Sequence, residues 1–359
     1  MTSLFDAASS DSPSSAPQLP IERLLEPMAA TRPAAGGQVL GVSRQGREVV
    51  GYRFGQGPQR VSLIGGCHAD EPVGPAMLDR LAALLSEQPA DSPLLSRVTW
   101  YLVPHANPDG DARNAGWASQ AIAANGTLKQ PAFDLASYLL QAVRELPGDD
   151  VEFGFPRTPE DRDARPENLA IADFLRPGAP FALHGSFHGM AFAAGPWFLL
   201  ERAWIDRTQA LRDRLRRRVV DLGYCLHDID RKGDKGFDRI DLGFTTRPDS
   251  RAMVAHFEAA GDPATAALFR PSSMELVRSL GGDPLTLVSE MPLFLMPAEH
   301  FTGKDMIRPE LVRQLTSERD PKLIRQLAAQ AGVEAMPIVD QMRLQLEFLQ
   351  AALASILFA

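Results

Sequence analysis

The histidines of this 359-residue chain number seven, and their placement points to metal chemistry. In the segment 66–71, Gly-Cys-His-Ala-Asp-Glu, His68 and Glu71 are three residues apart in what reads as a tight turn. An imidazole nitrogen and a carboxylate at this spacing can converge on one cation. A catalytic zinc takes three protein ligands and leaves one position for water. With His184 as the third ligand, the sequence predicts one zinc ion per chain.

His188 competes with His184 for the role of third ligand. The two histidines are four residues apart, a spacing that binds zinc when both lie on one helix. Gly185 and Gly189 disfavour a helix there. We therefore expect His184 to bind the metal and His188 to lie in the pocket, where it contacts substrate or donates a proton. A loop histidine with a structural hydrogen bond is the alternative for His188.

The elements that must position these residues follow an α/β rhythm. An apolar run at 61–66 ends in paired glycines, as a buried strand before a sharp turn would. Apolar residues spaced by three and four then predict a helix, and 98–103 predicts the next strand, which together make a right-handed crossover. Further strands are expected at 180–184 and 285–289, and further helices at 134–146, 167–176 and 206–222. The predicted fold is a mixed, mainly parallel central sheet flanked by helices, with ligands at the strand ends.

The chain is expected to divide into three parts. Residues 1–20 read as a flexible Ser/Pro-rich lead-in, 21–305 as the catalytic domain, and 306–359 as a C-terminal helical extension. The extension shows two helical patterns and few catalytic residue types. It is expected to pack against the catalytic domain or against a second subunit, which would make a homo-oligomer.

Composition excludes several classes of partner. The net charge of −8 argues against a general nucleic-acid binder, because phosphate demands a basic face. Two cysteines cannot form a disulfide framework, and the N-terminus does not read as a secretory signal, so a cytoplasmic location is expected. No apolar run reaches eighteen residues, so no membrane partner is expected.

Four motifs, in order over residues 38–300, resemble zinc metallocarboxypeptidases and their bacterial murein-peptide amidase and succinylglutamate desuccinylase/aspartoacylase-type relatives. The stretch 40–75 resembles the family's approach strand and ligand turn, with Ser43, Gly46 and Arg47 in the approach. The segments that resemble the remaining three motifs are Asn-Pro-Asp-Gly at 107–110, Phe-Ala-Leu-His-Gly at 181–185 and Leu-Thr-Leu-Val-Ser-Glu-Met-Pro at 285–292.

The resemblance implies a zinc-dependent hydrolase that cleaves an amide bond. Glu290 would take a proton from the attacking water and pass it to the leaving amine. Arg113 would stabilise the developing oxyanion, although it also reads as a surface arginine. Asp134 would orient a ligand histidine, and Asn107 would support the metal ligands or contact the substrate.

One departure from the family bears on the substrate. In the family, a D-L-N-R segment carries an Asn-Arg pair that grips the terminal carboxylate of a peptide, but this chain has Ala136 and Ser137 after Asp134-Leu135. Either another arginine substitutes or the substrate lacks that carboxylate. The arginines considered as substitutes are Arg157, Arg165, Arg247 and Arg251.

The predicted substrate is a short peptide or an N-acyl amino acid. A deacylase of N-acyl amino acids is one alternative, and a non-catalytic zinc-binding assembly module is another. The glycine- and charge-rich segment 231–251 is expected to form the pocket rim, with a plain solvated loop as its alternative. Cys67 is expected to be a small apolar group in the sheet.

Overall fold

The computed structural model describes residues 16–26, 34–123, 132–302, 306–307 and 309–357. Most of the predicted lead-in lies outside these ranges, so only its last five residues, 16–20, can be compared with the structure. Within the described ranges, no helix has the length and apolar character needed to cross a bilayer.

The strands form one large mixed sheet and one small hairpin, and they alternate with helices along the chain. The strands are β1 (Gly37–Val42), β2 (Glu48–Phe54), β3 (Gln59–Gly65), β4 (Val98–Val103), β5 (Leu183–Ala193), β6 (Trp197–Leu200), β7 (Arg239–Asp241), β8 (Phe244–Thr246), β9 (Leu285–Leu295), β10 (Phe301–Thr302), β11 (Met306–Ile307) and β12 (Glu334–Ala335). The helices are α1 (Ile21–Leu25), α2 (Val73–Ser86), α3 (Pro93–Ser96), α4 (Pro108–Ala123), α5 (Leu135–Gln141), α6 (Pro166–Leu175), α7 (Gln209–Asp221), α8 (Ser250–Ala259), α9 (Pro263–Ala266), α10 (Ser273–Ser279), α11 (Pro309–Ser317), α12 (Pro321–Gln330) and α13 (Ile338–Leu357).

The predicted mixed, mainly parallel sheet is confirmed at its centre. The strand order is β1-β2-β4-β3-β5-β9-β6-β8-β7, with β12 added beside β9. The inner strands β4, β3, β5 and β9 run parallel to one another. The pairs β1–β2, β2–β4 and β6–β9 are antiparallel. Each inner strand is buried over nearly its whole length, as expected when helices cover both faces of a parallel sheet.

Strand β5 differs from the strand expected at 180–184. It begins at Leu183 and continues to Ala193, through both glycines that were expected to mark a loop. A side chain at Gly185 would come within 3.1 Å of a Leu63 methyl group, and one at Gly189 within 3.1 Å of the Met291 carbonyl oxygen. These glycines let neighbouring strands approach closely, which is a recognised use of glycine inside a strand.

Helix α13 is part of the core that includes the sheet. Its buried residues, among them Leu346, Phe348 and Leu349, belong to the same apolar cluster as residues of β5 and β9. The side chain of Gln350 accepts a hydrogen bond from the backbone of Leu19 at 2.6 Å, and Gln345 donates one to the carbonyl oxygen of His188 at 3.4 Å. Of the two packing partners considered for the C-terminal helices, the structure shows the catalytic domain for α13.

Candidate active site

Three side chains from two elements converge at the end of β3. The turn after β3 carries His68 and Glu71, and the middle of β5 carries His188. The Nδ1 atom of His68 lies 2.8 Å from Glu71 Oε1, and the Nδ1 atom of His188 lies 2.9 Å from Glu71 Oε2. The two Nδ1 atoms are 3.2 Å apart. Glu71 and His188 are buried, while His68 is partly exposed.

This donor set fits a zinc ion. Two ligands about 2.05 Å from a tetrahedral metal are about 3.3 Å apart, close to the observed separation of the two ring nitrogens. Burial lowers the pKa of both histidines, but the Glu71 carboxylate and neighbouring acids outweigh it, so the pKa of His68 is raised well above its usual value and that of His188 to about 10. The two histidines in turn hold the pKa of Glu71 well below its usual value, despite its burial. The pocket thus favours positive charge between these three groups.

The outer nitrogen of each ring faces another carboxylate. Asp150 Oδ2 lies 3.5 Å from His68 Nε2, and Glu152 Oε2 lies 3.3 Å from His188 Nε2. The Ser186 hydroxyl also lies 2.7 Å from His188 Nε2. A carboxylate behind a metal-binding histidine fixes the ring and makes it a stronger ligand. One short segment, Asp-Val-Glu, therefore supports both imidazoles.

Glu290 lies next to this cluster on the neighbouring strand. It is the register partner of His188 across the parallel β5–β9 pair, so its side chain leaves the sheet beside the histidine. Burial raises the pKa of Glu290, and the nearby Glu71 charge raises it further, to about 7. A carboxyl group with such a pKa can both accept and return a proton near neutral pH. The structure thus places Glu290 on the wall of the same cavity as His68 and His188.

Arg144, which the sequence analysis missed, is the cation at the cluster. Its guanidinium nitrogens lie 3.5 Å from Glu71 Oε1 and 3.6 Å from Asp70 Oδ2. Arg113 instead forms an ion pair with Glu145 and does not line the cavity that contains the histidines. The structure therefore places Arg144, and not Arg113, beside the cluster. No spacing or periodicity in the sequence distinguished the two arginines.

The structure does not bring His184 into the cluster, and His188 takes the place predicted for it. His184 pairs with Ser62 inside the sheet, whereas the ligand turn follows the end of β3, which is level with Phe187. His184 and His188 are four residues apart on β5, which corresponds to about 13 Å along the strand. The ring nitrogens of His184 bind the hydroxyls of Ser62 at 2.8 Å and Ser273 at 3.1 Å. Burial lowers its pKa to about 3, so it is a neutral structural residue.

Two further assignments are corrected by their contacts. Asp134 begins α5, accepts a hydrogen bond from the Ser137 amide at 2.9 Å, and binds Arg325 at 2.8 Å, which lowers its pKa to about 2. Its described contacts include neither His68 nor His188, whereas Asp150 lies beside His68. Asn107 caps the start of α4 through the Gly110 amide at 3.0 Å. It therefore supports the fold of its loop and does not line the cavity.

The cluster opens into a cavity of about 520 Å³. The histidines, Arg144 and Glu290 form one part of its wall, and an apolar part includes Trp197, Phe237, Phe257 and Phe269. The segment 231–251 contributes Arg231, Lys235, Phe237 and Pro248, which confirms that it borders the pocket. Cys67 lies buried beneath the site, and burial together with the charge of Glu152 raises the pKa of its thiol, consistent with its expected apolar role.

Sequence comparisons find similarity to zinc carboxypeptidases. A family model described as zinc carboxypeptidase matches residues 21–138. Zinc carboxypeptidase A 1 of Anopheles gambiae is 40% identical over 76 residues, which are 20% of this chain and 18% of that protein. The match thus spans less than a fifth of that relative's length.

Solved structures resemble the chain over most of its length at low identity. A metallo-carboxypeptidase from Burkholderia cenocepacia is 16% identical, with 91% of this chain and 66% of that one covered and a TM-score of 0.41. Carboxypeptidase A from Helicoverpa armigera is 13% identical, with 89% and 69% covered and a TM-score of 0.44.

Proposed function

We propose that this chain, which belongs to the zinc carboxypeptidase family through the matched residues 21–138, is a zinc-dependent hydrolase of amide bonds in short peptides or N-acyl amino acids. One observation carries the proposal. His68, Glu71 and His188 present three ligand atoms within 4.8 Å of one another, and Glu290 lies beside them in the same cavity. Three ligands with a general base beside them are what metal-assisted hydrolysis requires.

The chain's own groups divide the work of hydrolysis. His68, Glu71 and His188 would hold the zinc ion, which when bound lowers the pKa of water and polarises a carbonyl group. Glu290 takes a proton from the attacking water and delivers it to the leaving nitrogen, because its raised pKa suits both transfers. Arg144 provides positive charge for the negative charge that develops on the carbonyl oxygen.

The neighbours of the ligands lack the Asn-Arg pair with which the family anchors a terminal carboxylate. Asp150 contacts His68 as the family's supporting aspartate would, and the second and third residues after it are Glu152 and Phe153. Those are the places of the Asn and Arg in the family's D-L-N-R segment. A carboxylate and a phenyl ring there cannot grip a terminal carboxylate, so recognition of the free carboxylate of a peptide or an N-acyl amino acid would have to come from another part of the cavity.

The test combines metal content with a single-residue change. Purified protein is expected to contain about one zinc per chain by mass spectrometry, and His68→Ala and Glu71→Ala are expected to lose it. Glu290→Gln is expected to keep its zinc and lose hydrolysis by at least about 100-fold. Glu299→Gln, an exposed glutamate further along the chain, is the matched control.

Two results would contradict the proposal. Well-folded wild-type protein that binds no zinc after reconstitution would exclude a zinc hydrolase. Zinc-loaded protein that cleaves neither peptides nor N-acyl amino acids would favour a non-catalytic assembly module.

A further inference from the structure

Two cations project into the catalytic cavity from a segment that the mechanism does not use. Arg231 and Lys235 both line the cavity, and both are partly buried. The guanidinium carbon of Arg231 lies 4.3 Å from the ring centroid of Phe237 and 5.1 Å from that of Trp197. The Lys235 ammonium lies 5.8 Å from the ring centroid of Phe257. The rings hold both cations in the apolar part of the cavity by cation–π attraction.

The electrostatic setting of these cations favours an anion. Burial lowers the pKa of Lys235, and the charge of Arg231 lowers it further. Burial also lowers the pKa of Arg231, while Glu290 and Asp234 act in the opposite direction. A bound anion would stabilise the charged form of both side chains, as Glu290 and Asp234 already do for Arg231. Arg231 and Glu290 line the same cavity, so an anion at Arg231 would share that cavity with the proposed base.

The backbone of the segment is shaped to present Lys235. Lys235 has φ 54° and ψ 20°, in the left-handed region that disfavours side chains, and Gly233 and Gly236 on either side of it have φ 80° and 85°. The two glycines allow the tight turn from which Lys235 reaches the cavity wall. Lys232 shares this conformation, with φ 51°, but it is exposed and does not line the cavity.

The arginines considered from the sequence as carboxylate anchors lie away from the catalytic cavity. Arg157 donates to the Phe269 carbonyl oxygen at 3.2 Å, Arg165 to Glu167 at 3.0 Å and Arg247 to Glu201 at 2.9 Å. None of them lines the catalytic cavity, and Arg251 lines a different one.

We propose that Arg231, assisted by Lys235, forms an anion subsite that binds a carboxylate of the substrate at the aromatic end of the cavity. Glu152 repels a carboxylate from the end near the histidines, and Arg231 attracts it to the other end. The planar guanidinium group suits a carboxylate, which it can bind through two parallel hydrogen bonds. The anchor then comes from the loop before β7 and not from the segment that follows Asp150. The role of this subsite in substrate recognition rests on the proposed hydrolase function. Its binding of a carboxylate can be measured whether or not the protein is a hydrolase.

The first experiment measures binding alone. Calorimetry on the zinc-loaded full chain compares 3-phenylpropionate, an aromatic carboxylate, with its uncharged amide. Wild type is expected to prefer the carboxylate, and Arg231→Gln to weaken carboxylate binding roughly 10- to 100-fold without weakening amide binding. Lys235→Gln is expected to have a smaller effect of the same kind. Lys232→Gln, the matched control with the same backbone conformation, is expected to bind like wild type. Equal loss for both probes in Arg231→Gln, or no loss, would overturn the subsite.

The second experiment identifies the source of the carboxylate. N-benzoyl-glycyl substrates ending in Gln or Glu, each with a free or an amidated main-chain carboxyl group, separate a main-chain from a side-chain carboxylate. Faster cleavage of substrates with a free main-chain carboxylate, or of those ending in Glu, supports the subsite if Arg231→Gln abolishes that preference. Cleavage of all four substrates at equal rates refutes the subsite. Zinc content and the Glu290→Gln variant are measured on the same preparations. Zinc-loaded, Glu290-dependent cleavage without a carboxylate preference would leave the hydrolase standing and the subsite disproved.

Discussion

Replacing each candidate third ligand in turn gives the sharpest test of the site. His188→Gln and His184→Gln alter two buried histidines on the same strand with the same substitution. Zinc at 100 times its dissociation constant stabilises a protein that binds it only when folded by about 2.7 kcal/mol. At about 2 °C per kcal/mol for a large domain, wild type should gain about 5 °C in melting temperature on adding zinc.

The two variants should respond in opposite ways. His188→Gln removes one of three ligand atoms, so its melting temperature should no longer respond to zinc. His184→Gln removes the ring that joins Ser62 and Ser273, which is worth about 1 kcal/mol per hydrogen bond. Its metal-free melting temperature should therefore fall by about 4 °C, while the zinc response of about 5 °C persists.

Thermal denaturation with and without zinc, supported by mass-spectrometric metal content, decides between these outcomes. Differential scanning of both variants and of wild type at one protein concentration separates the baseline change from the zinc response. Loss of the zinc response in His184→Gln with its retention in His188→Gln would refute the assignment of His188.

Three further predictions follow from the pKa values and contacts of the site and its surroundings. Glu290 must be ionised to act as a base, and its raised pKa should place the acidic limb of the kcat/KM profile above 4.5 and no higher than about 7; a limb at 4.5 or below would contradict this. Glu152→Gln should weaken zinc binding about 10- to 100-fold in a chelator competition, because the ligand ring loses its carboxylate support, and unchanged affinity would refute that support. Asp111 and Asp79 overcome the effect of burial and raise the pKa of His105 from 6.5 to about 10, so its stabilising contribution should be complete below pH 6.5 and disappear as the pH rises through 10. Since the His105 side chain is 41% exposed, His105→Gln should cost about 1 kcal/mol at pH 6 by urea denaturation and almost nothing above pH 10, and a pH-independent difference would contradict this.

The ligand turn could be predicted because its signals are local. A buried strand, paired glycines, and then a histidine and a glutamate three residues apart lie within one short segment, and β3 ends at Gly65 beside the predicted turn. Glu290 was found for the same reason, since it follows an apolar run that became β9.

The third ligand could not be chosen from alternation along the strand. His184, Ser186 and His188 all point to the same face of β5, so a period of two does not distinguish them. The choice depends on register, which pairs His184 with Ser62 but places His188 level with the end of β3. Gly185 and Gly189 suggested a loop, so the full length of β5 was not predicted. Their role, which is to allow close approach of neighbouring strands, cannot be read from the segment alone.

The supporting aspartate was misplaced for a similar reason. Asp134 precedes a leucine, as in the family's segment, but it serves as the cap of α5. Asp150 reaches His68 only after the chain has passed through that helix and the loop beyond it. Contacts of this kind arise from tertiary folding and leave no local signal.

The position of α13 implies an order in which the catalytic centre matures. This helix is the last element along the described chain, yet it lies against β5, and its Gln345 bonds to the backbone of His188. During synthesis, His68, Glu71 and Glu290 leave the ribosome before the helix that supports their neighbouring strand. A nascent chain that ends before residue 338 holds every proposed ligand but lacks this support. Zinc binding at the proposed site is therefore expected to follow the synthesis of α13 and its docking on β5.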